Sequence, residues 1–403
     1  MLHTKASMTK HLTARSNTQP ELKPTRSLGR MAQATLTATV LWMAAAGAHA
    51  QSYTFTTLGT FGGSSTYANG INNFGQVVGY SLLSGDSFAR SATWTIAGGY
   101  GFDGLGDLGS YYTGINNVGQ IVGVNPTTVA ATGVASVWSS GISTALLRPG
   151  TESTAGTSIN STGQVAGHFY TGGNSTMHAA MWSGSALIDL GTLPTGTFSN
   201  ALGINDTGQV VGYADSVELG RTSSFAVLWA GGRAIKLGSG GANAINNAGL
   251  IVGSGQGTVG SGSPHASLWN GNTQTDLGTI AGLDQSNALA INNLGQIVGY
   301  SDTGFTGTQR ATLWNGTSAT DLNMFAIGSG WVLQTATGIN DFGWITGTAV
   351  NSVTGLSSAY VLAPVPLPAS LPLMLAGLGS LGLFHRRRSS LSLWRHLRRC
   401  TRQ

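Results

Sequence analysis

Carboxylates are the side chains of this sequence best suited to bond-breaking chemistry, because two of them can act as acid and base on a glycosidic bond. Glu152 and Glu218 are the only glutamates between residues 51 and 364, and Asp215 and Arg221 lie close to Glu218 in the sequence. A glycosidase would need two acids about 5–10 Å apart across a cleft. The two glutamates belong to different repeats, so the sequence predicts no such pair and no catalytic residue.

Histidine and aspartate are candidate metal ligands. His178 and His265 occupy equivalent repeat positions and His168 is isolated, so we expect three structural histidines with hydrogen-bond partners. The acids that recur at one strand start are Asp107, Asp189, Asp276 and Asp321. We expect them to cap turns, because no dense Asp-x-Asp-x-Asp loop is present. The sequence therefore predicts no metal site and no cofactor, and calcium binding stays a minor alternative.

Tryptophan could stack on sugars, but six tryptophans occupy one repeat position. They are Trp94, Trp138, Trp182, Trp229, Trp269 and Trp314. A side chain repeated at one position predicts packing between neighbouring units. Trp331 and Trp344 depart from this pattern, which indicates a repacked last unit.

These residues are carried by a unit of about 45 residues that occurs seven times. Its clearest part is Gly70–Gly79, in which apolar residues flank Asn-Asn-Phe-Gly. The central isoleucines are Ile71, Ile115, Ile159, Ile204, Ile245, Ile291 and Ile339. This pattern predicts strand, tight turn and strand, with the turn glycine at positive φ.

Each unit adds two further short strands, which makes four strands per repeat, the content of one β-propeller blade. The seventh unit lacks its last strand, and Phe55–Thr60 has the missing pattern. Pairing that segment with the last unit would close a ring and leave no exposed sheet edge. We therefore predict a seven-bladed β-propeller closed by an N-terminal strand, with an open β-solenoid as the alternative.

Net charge argues against one class of partner. The whole chain carries a formal charge of +5, but residues 51–364 contain six bases and thirteen acids. A domain of this sign lacks the basic face that nucleic acids require. The single cysteine, Cys400, lies outside the repeats, so a disulfide or a cysteine site within them is excluded.

Residues 1–50 have the pattern of a signal peptide. A basic segment precedes the apolar stretch 34–47, and Ala48 and Ala50 are the small residues that signal peptidase requires before Gln51. We expect cleavage between Ala50 and Gln51. Met1 and Met31 both remain candidate start sites.

Residues 365–388 have the pattern of a second targeting segment. Val365, Pro366, Leu367, Pro368 and Ala369 precede the apolar stretch Leu371–Phe384, which Arg386, Arg387 and Arg388 follow. The twelve residues 373–384 would span about 18 Å as a helix, which is short for a bilayer core. We expect a short transmembrane helix with the arginines on the cytoplasmic side. A basic tail, 389–403, follows.

This C-terminal segment resembles the PEP-CTERM sorting signal of Gram-negative bacteria in its VPLPA form, and the repeats resemble HAF-type extracellular repeats. The resemblance implies recognition by an exosortase, a membrane transpeptidase, followed by removal of the tail. It also implies delivery to the cell surface or the exopolysaccharide matrix. The family usually ends just after the arginines, so residues 389–403 are a departure that bears on processing.

We therefore expect an exported protein, transiently anchored in the inner membrane, with a structural or adhesive role. Its expected partners are signal peptidase, an exosortase-type transpeptidase, and a polysaccharide or surface protein. It is not expected to be an enzyme. The alternatives are a secreted carbohydrate-active enzyme on the same scaffold and, if the tail stays uncut, a membrane-tethered receptor.

Overall fold

The computed structural model describes most of the repeat region. The described residues are 52–95, 101–103, 111–126, 133–147, 153–171, 176–218, 220–257, 262–304 and 309–365. Predictions for the signal peptide, the apolar tail and the basic tail lie outside these ranges. Within them, no helix is both long and apolar enough to cross a bilayer.

The described chain is built from β-strands, as the repeat pattern predicts. An N-terminal strand precedes the repeats: β1 (Tyr53–Thr57). The first three repeats contain β2 (Gly62–Ile71), β3 (Gln76–Leu83), β4 (Ala89–Thr95), β5 (Gly101–Asp103), β6 (Tyr111–Ile115), β7 (Ile121–Pro126), β8 (Gly133–Ser139), β9 (Ile142–Ala145), β10 (Thr154–Ile159), β11 (Val165–Thr171), β12 (Thr176–Ser183) and β13 (Ala186–Gly191).

The later repeats have the same order of strands. The fourth and fifth contain β14 (Ser199–Ile204), β15 (Val210–Glu218), β16 (Arg221–Ala230), β17 (Arg233–Ser239), β18 (Gly241–Ile245), β19 (Ile251–Gln256), β20 (Pro264–Asn270) and β21 (Thr273–Gly278). The sixth and seventh contain β22 (Gln285–Ile291), β23 (Ile297–Asp302), β24 (Arg310–Asn315), β25 (Ser318–Asp321), a 3-10 helix (Leu322–Phe325), β26 (Trp331–Ile339), β27 (Ile345–Asn351) and β28 (Ser357–Pro364).

Each of the second to sixth repeats forms its own four-stranded antiparallel sheet. The seventh repeat has three strands of its own, and β1 pairs with β28 as the fourth, with Thr57 opposite Tyr360. This confirms the predicted pairing between the N-terminal strand and the last repeat. A single parallel bridge, Ser65 to Ser357, joins this sheet to that of the first repeat.

The backbone conformation explains why glycine occupies two positions of each repeat, as the first repeat illustrates. Gly75 in the turn has φ of 72°, a conformation that costs glycine little. Gly79 lies against the neighbouring strand, where an added Cβ would collide with the carbonyl oxygen of Tyr67. A β-bulge lies between Ala68 and Gly70 in β2, before the turn that contains Gly75. The backbone therefore accounts for the regular glycine spacing.

The core lies between neighbouring sheets. Trp182 of the third repeat packs with Val122 and Leu146 of the second. Leu58, which follows β1, packs with Trp94 of the first repeat and Val361 of the seventh. Burial of large apolar side chains between sheets removes them from water and holds adjacent repeats together. This confirms the predicted packing role of the repeated tryptophans.

Candidate functional site: an asparagine-lined axial mouth

The hairpin turn between the first two strands of a repeat is organised by one asparagine side chain. In the first repeat, Asn72 Oδ1 accepts the backbone N–H groups of Phe74 and Gln76, both at 3.0 Å. The Asn72 backbone N–H donates to the Gln76 carbonyl oxygen at 3.0 Å. The asparagine thus satisfies turn donors that would otherwise lack partners, as the turn chemistry predicts.

The same asparagine also connects neighbouring repeats. Asn72 Nδ2 donates to the backbone carbonyl of Asn116 at 3.1 Å, and Asn340 Nδ2 donates to that of Asn72 at 3.0 Å. The seven equivalent residues are Asn72, Asn116, Asn160, Asn205, Asn246, Asn292 and Asn340, each 3–5% exposed. Their bonds run in one direction and return to the first residue, so they form a closed ring.

The next residue of each turn forms the rim of an axial opening. These rim residues are Asn73, Asn117, Ser161, Asp206, Asn247, Asn293 and Asp341. In six of the seven cases the backbone N–H of one rim residue donates to the side-chain oxygen of the next, for example Asp206 to Asn247 at 2.9 Å. The bond from Asp341 to Asn73, also 2.9 Å, joins the last repeat to the first. We call this opening the axial mouth.

Two of the rim residues are carboxylates held by amide donors. Asp341 Oδ2 accepts the side-chain amides of Asn73 and Asn293, both at 3.0 Å. Burial alone would raise the pKa of Asp341, but the hydrogen bonds from Asn73 and Asn293 outweigh it and lower this pKa, against a small opposing effect of the Asp206 charge. Burial would likewise raise the pKa of Asp206, and bonds from Ser161 and Asn247 lower it. Both rim carboxylates therefore stay ionised near neutral pH.

The floor of the axial mouth is apolar. The seven central isoleucines line it, and the cavity on the mouth side measures about 180 Å³. A second cavity of about 260 Å³ lies on the other side of the same isoleucines. There, hydroxyl groups bridge neighbouring repeats: Thr157 Oγ1 donates to the Ala201 carbonyl at 2.9 Å, and Thr337 Oγ1 to the Ala68 carbonyl at 2.7 Å.

The axial mouth is suited to binding rather than to proton transfer. Its carboxylates are ionised, and none of the described residues that line it is basic. Across the described ranges, no group of three or more His, Cys, Asp or Glu residues could hold a metal ion. What the mouth offers is a set of amide and carboxylate oxygens above an apolar floor, which fits a polar or cationic group.

The described acids that were considered for glycosidase chemistry, Asp215 and Glu218, do not line the mouth. Glu218 pairs with Lys236 at 2.5 Å. Asp215 Oδ1 accepts the backbone N–H groups of Thr197 and Phe198 at 2.8 and 2.7 Å. Arg221 lies opposite Glu218 where β15 turns into β16. Glu152 lies outside the described residues. The described acids are thus engaged in local contacts of one repeat.

The histidines have the hydrogen-bond partners that the sequence predicts. His178 Nδ1 lies 3.1 Å from Asp189 Oδ2, and His265 Nδ1 lies 2.9 Å from Asp276 Oδ2. His168 Nδ1 lies 3.0 Å from Asn200 Oδ1. Burial lowers the pKa of His168, and the Asn200 contact partly opposes this effect.

Asp189, Asp276 and Asp321 cap turns, as predicted, and the first two also face histidines. The backbone N–H groups of Gly191 and Gly278 donate to Asp189 and Asp276, both at 2.8 Å. Asp321 accepts the N–H of Asn323 at 2.9 Å. Asp107 lies outside the described residues.

The fourth and sixth repeats show variants of the same pair. Arg310 pairs with Asp321 at 3.1 Å, and Lys236 Nζ lies 3.3 Å from the centre of the Phe225 ring. Where the histidine becomes phenylalanine, the acid thus becomes lysine, and a cation–π contact replaces the ion pair. Comparing the repeats with each other gives the signal for this pair, since the fourth repeat replaces both positions and the sixth replaces histidine by another base opposite the same acid.

The ring of inter-repeat bonds was also missed from the sequence. Its signal is that asparagine occupies the first turn position in all seven repeats, whereas the second position varies between Asn, Asp and Ser. A turn alone accepts aspartate at either position. Only a residue with both a donor and an acceptor can cap its own turn and reach the next repeat.

Most residues of the predicted targeting segments lie outside the described ranges. They are Ala48, Ala50, Gln51, Pro366, Leu367, Pro368, Ala369, Arg386, Arg387 and Arg388. Val365 is described: it follows β28, and its N–H donates to the carbonyl oxygen of Ser52 at 2.9 Å.

The fold is similar to solved β-propellers. The β-propeller domain of the Trilobed protease from Pyrococcus furiosus, described as having an open velcro topology, matches with a TM-score of 0.54 and 10% identity, over 74% of this chain and 95% of that one. XC5397 from Xanthomonas campestris, a gluconolactonase, matches with a TM-score of 0.40 and 12% identity, over 76% of this chain and 89% of that one.

Sequence comparison adds no relative. No protein-family model matches the chain. No curated protein matches it either. The likeness to the Pyrococcus furiosus domain shows the fold alone, and that fold is a β-propeller.

Proposed function

We propose that this chain is an exported seven-bladed β-propeller with a structural or adhesive role at the cell surface or in the extracellular matrix, where it contacts exopolysaccharide. A signal peptidase would remove residues 1–50, and an exosortase-type transpeptidase would process the segment that begins at Val365. The blade count is supported by the seven asparagines whose hydrogen bonds return to the first repeat. The export route is supported by the two targeting segments of the sequence.

One observation carries the preference for binding over catalysis. Asp215 and Glu218, the described acids that were considered for glycosidase chemistry, are held by backbone N–H groups and by Lys236. The two rim carboxylates have lowered pKa values because amides and backbone N–H groups donate to them. A glycosidase acid must instead hold a proton near neutral pH. The observed environments favour a role without acid–base chemistry.

The sorting step is tested by intact-mass and fractionation analysis in a host strain with and without its sorting transpeptidase. We expect the tail to be absent from the surface protein of the wild-type strain and retained in the deletion strain. A variant with Pro366→Ala and Pro368→Ala should keep its tail in both strains. A tail that is still present on the wild-type surface protein would contradict the sorting proposal.

The contact with polysaccharide is tested by sedimenting the purified protein with exopolysaccharide from the same host. We expect retention of the protein and no release of reducing sugar over long incubation. Bovine serum albumin is a control for trapping. Release of reducing sugar that depends on Glu152 or Glu218 would establish the enzyme alternative, and loss of retention would contradict the adhesive role.

A further inference from the structure

The third residue of each hairpin turn is exposed and forms a second, outer ring around the axial mouth. In four consecutive repeats it is a large apolar residue: Leu294, Phe342, Phe74 and Val118, which are 72, 67, 71 and 68% exposed. The asparagine bonds place these repeats side by side, in the order sixth, seventh, first and second. We call these four side chains the apolar crescent.

The fold does not require apolar residues at these positions. The other three repeats have Thr162, Thr207 and Ala248 there. Thr162 and Thr207 keep the turn bond from their N–H and add a hydroxyl bond to the same asparagine oxygen, at 2.8 Å in both cases. Threonine therefore serves the turn at least as well. Four adjacent exposed apolar side chains, confined to one side of the mouth, indicate a docking surface.

The last described residues lie at the edge of the domain that carries the apolar crescent. β28 runs antiparallel to β27, with Leu362 opposite Ile345, so the end of β28 lies beside the turn that carries Phe342. Neighbouring strands are about 4.8 Å apart, which places Val365 on the order of 10 Å from that turn. The seventh repeat lies within the apolar crescent, with Leu294 on one side and Phe74 on the other.

The sequence after Val365 indicates what the apolar crescent contacts. It contains the apolar, uncharged stretch Leu371–Phe384, followed by Arg386, Arg387 and Arg388. An anchor that leaves the domain beside the crescent would hold this edge, and not the opposite one, against the lipid. We infer that the apolar crescent docks on the surface of the lipid bilayer next to the anchor. This inference rests on the proposed membrane anchoring of the tail.

Charge favours lipid over a second copy of this chain. The axial mouth presents the ionised Asp206 and Asp341 at the same face, so two copies placed face to face would bring like charges together. A bilayer of phosphatidylcholine, which is zwitterionic and has no net charge, has no such conflict. The strength of binding through apolar side chains at a lipid interface increases with the apolar area that becomes buried. Docking is therefore expected on zwitterionic lipid and is not expected to need anionic lipid.

The test uses the full chain with Cys400→Ser and a single new cysteine that carries an environment-sensitive fluorophore. The label is placed at position 118 in the crescent, at position 207 in the equivalent turn of the fourth repeat, which lies opposite the crescent, or at position 380 in the apolar tail. Each protein is reconstituted into phosphatidylcholine vesicles with and without nitroxide-labelled lipid. We expect strong quenching at 118 and 380 and weak quenching at 207.

A matched variant links the result to the crescent. In the protein labelled at 118, the changes Phe74→Thr, Leu294→Thr and Phe342→Thr copy the residue that the third and fourth repeats use. We expect quenching at 118 to fall to the level seen at 207, while a separate tail label at 380 stays quenched.

The outcomes separate the anchor from the docking. Quenching at 380 without quenching at 118 would overturn the docking inference and leave the anchor intact. Quenching at 118 alone would support docking and contradict the anchor. Equal quenching at 118 and 207 would overturn the role of the crescent. A label at 118 that is shielded before vesicles are added, in proportion to protein concentration, would assign the crescent to a second copy and overturn lipid docking.

Discussion

Asn340 donates its side-chain amide to the backbone carbonyl of Asn72, at 3.0 Å, across 268 positions of the sequence. The bond has the same geometry as the six bonds between consecutive repeats. The first and last repeats are therefore neighbours in the same sense as any other pair. This bond joins the first and last repeats at the axial mouth. The pairing of β1 with β28 connects the N-terminal segment to the last repeat at a second place.

The buried asparagine ring is expected to tolerate no charge. In Asn160→Asp, Oδ1 still caps the turn, but the donor to the Asn205 carbonyl is replaced by a buried carboxylate oxygen. Loss of that bond should cost about 0.5–1.5 kcal/mol, since the Asn205 carbonyl keeps the Gly208 N–H as a partner, and the buried charge that faces this carbonyl should add to the cost. The free energy of unfolding in urea measures the effect.

Asn117→Asp is the matched control for the asparagine ring, because the equivalent rim residues in the fourth and seventh repeats are Asp206 and Asp341. We expect a change within about 0.5 kcal/mol for this exposed position. Equal destabilisation by Asn160→Asp and Asn117→Asp would show that the buried asparagine ring and the rim of the axial mouth tolerate a charge equally well.

Closure by the N-terminal strand is expected to support the whole domain. Leu58 is 3% exposed and packs between Trp94 and Val361, so Leu58→Ala should destabilise the domain by about 2–5 kcal/mol. Leu147→Ala, at a leucine that is 61% exposed, should change stability little. Chemical denaturation measures both variants, and similar small effects would contradict a closing role for the segment that contains Leu58.

The rim carboxylates predict a loss of stability in acid. Because the folded pKa of Asp341 lies below its unfolded value, its contribution is fully present above the unfolded pKa and is lost as pH falls through the folded one. Asp341→Asn should therefore be less stable than the wild type at neutral pH, by less than about 1 kcal/mol given the partial exposure of the rim. The difference should narrow below about pH 4.

Urea midpoints measured across this pH range test the contribution of Asp341. Asn117→Ala removes an uncharged rim side chain and should shift the whole profile without changing its shape. A difference between wild type and Asp341→Asn that stays constant with pH would show that the carboxylate charge is not the cause.

The tryptophans should differ in their response to phenylalanine. Trp314 Nε1 donates to the Gly278 carbonyl at 3.3 Å, whereas Trp182 Nε1 is buried without a partner among the described residues. Both side chains are fully buried, so both changes remove a similar apolar volume. Trp182→Phe should cost less than Trp314→Phe by about 1 kcal/mol, because only the latter breaks a hydrogen bond. Thermal unfolding of the two variants tests this order, and the reverse order would contradict it.

The cross-strand pairs should be exchangeable as pairs. Asp276→Lys alone places a lysine beside His265 and should destabilise the fifth repeat. The double change His265→Phe with Asp276→Lys copies Phe225 and Lys236 and should recover about 0.5–1 kcal/mol through the cation–π contact. A double-mutant cycle measures this coupling. Strictly additive effects would show that the two positions act independently.

Much of the fold was predictable because the sequence repeats. One copy of Asn-Asn-Phe-Gly indicates a turn, and seven copies with tryptophan at a constant place indicate stacked sheets. The missing last strand was identified in Phe55–Thr60, and the structure pairs Tyr53–Thr57 with β28. Leu58 lies beyond this strand, but its N–H still donates to the Ala359 carbonyl at 2.8 Å. Strand bounds shift because they depend on local hydrogen bonding, whereas the pattern of buried residues does not.

Less of the candidate site than of the fold could be predicted from the sequence. Asn72 reads as an ordinary turn residue, since its bonds to Phe74 and Gln76 are local. Its bond to the Asn116 carbonyl depends on how two sheets are placed, and no local pattern encodes that distance. The same holds for the His265–Asp276 pair, whose members lie on adjacent strands, eleven residues apart.

The sequence by itself determined the unit, the number of its copies, the strand that completes the last one and the residues that pack between units, because burial and turn chemistry act on each copy locally. Only the tertiary structure decided that seven buried amides join head to tail, that Asp206 and Asp341 belong to one rim, and that Leu294, Phe342, Phe74 and Val118 lie side by side. These relationships arise when the ring closes, because closure makes the seventh repeat the neighbour of the first and places their turns at one edge.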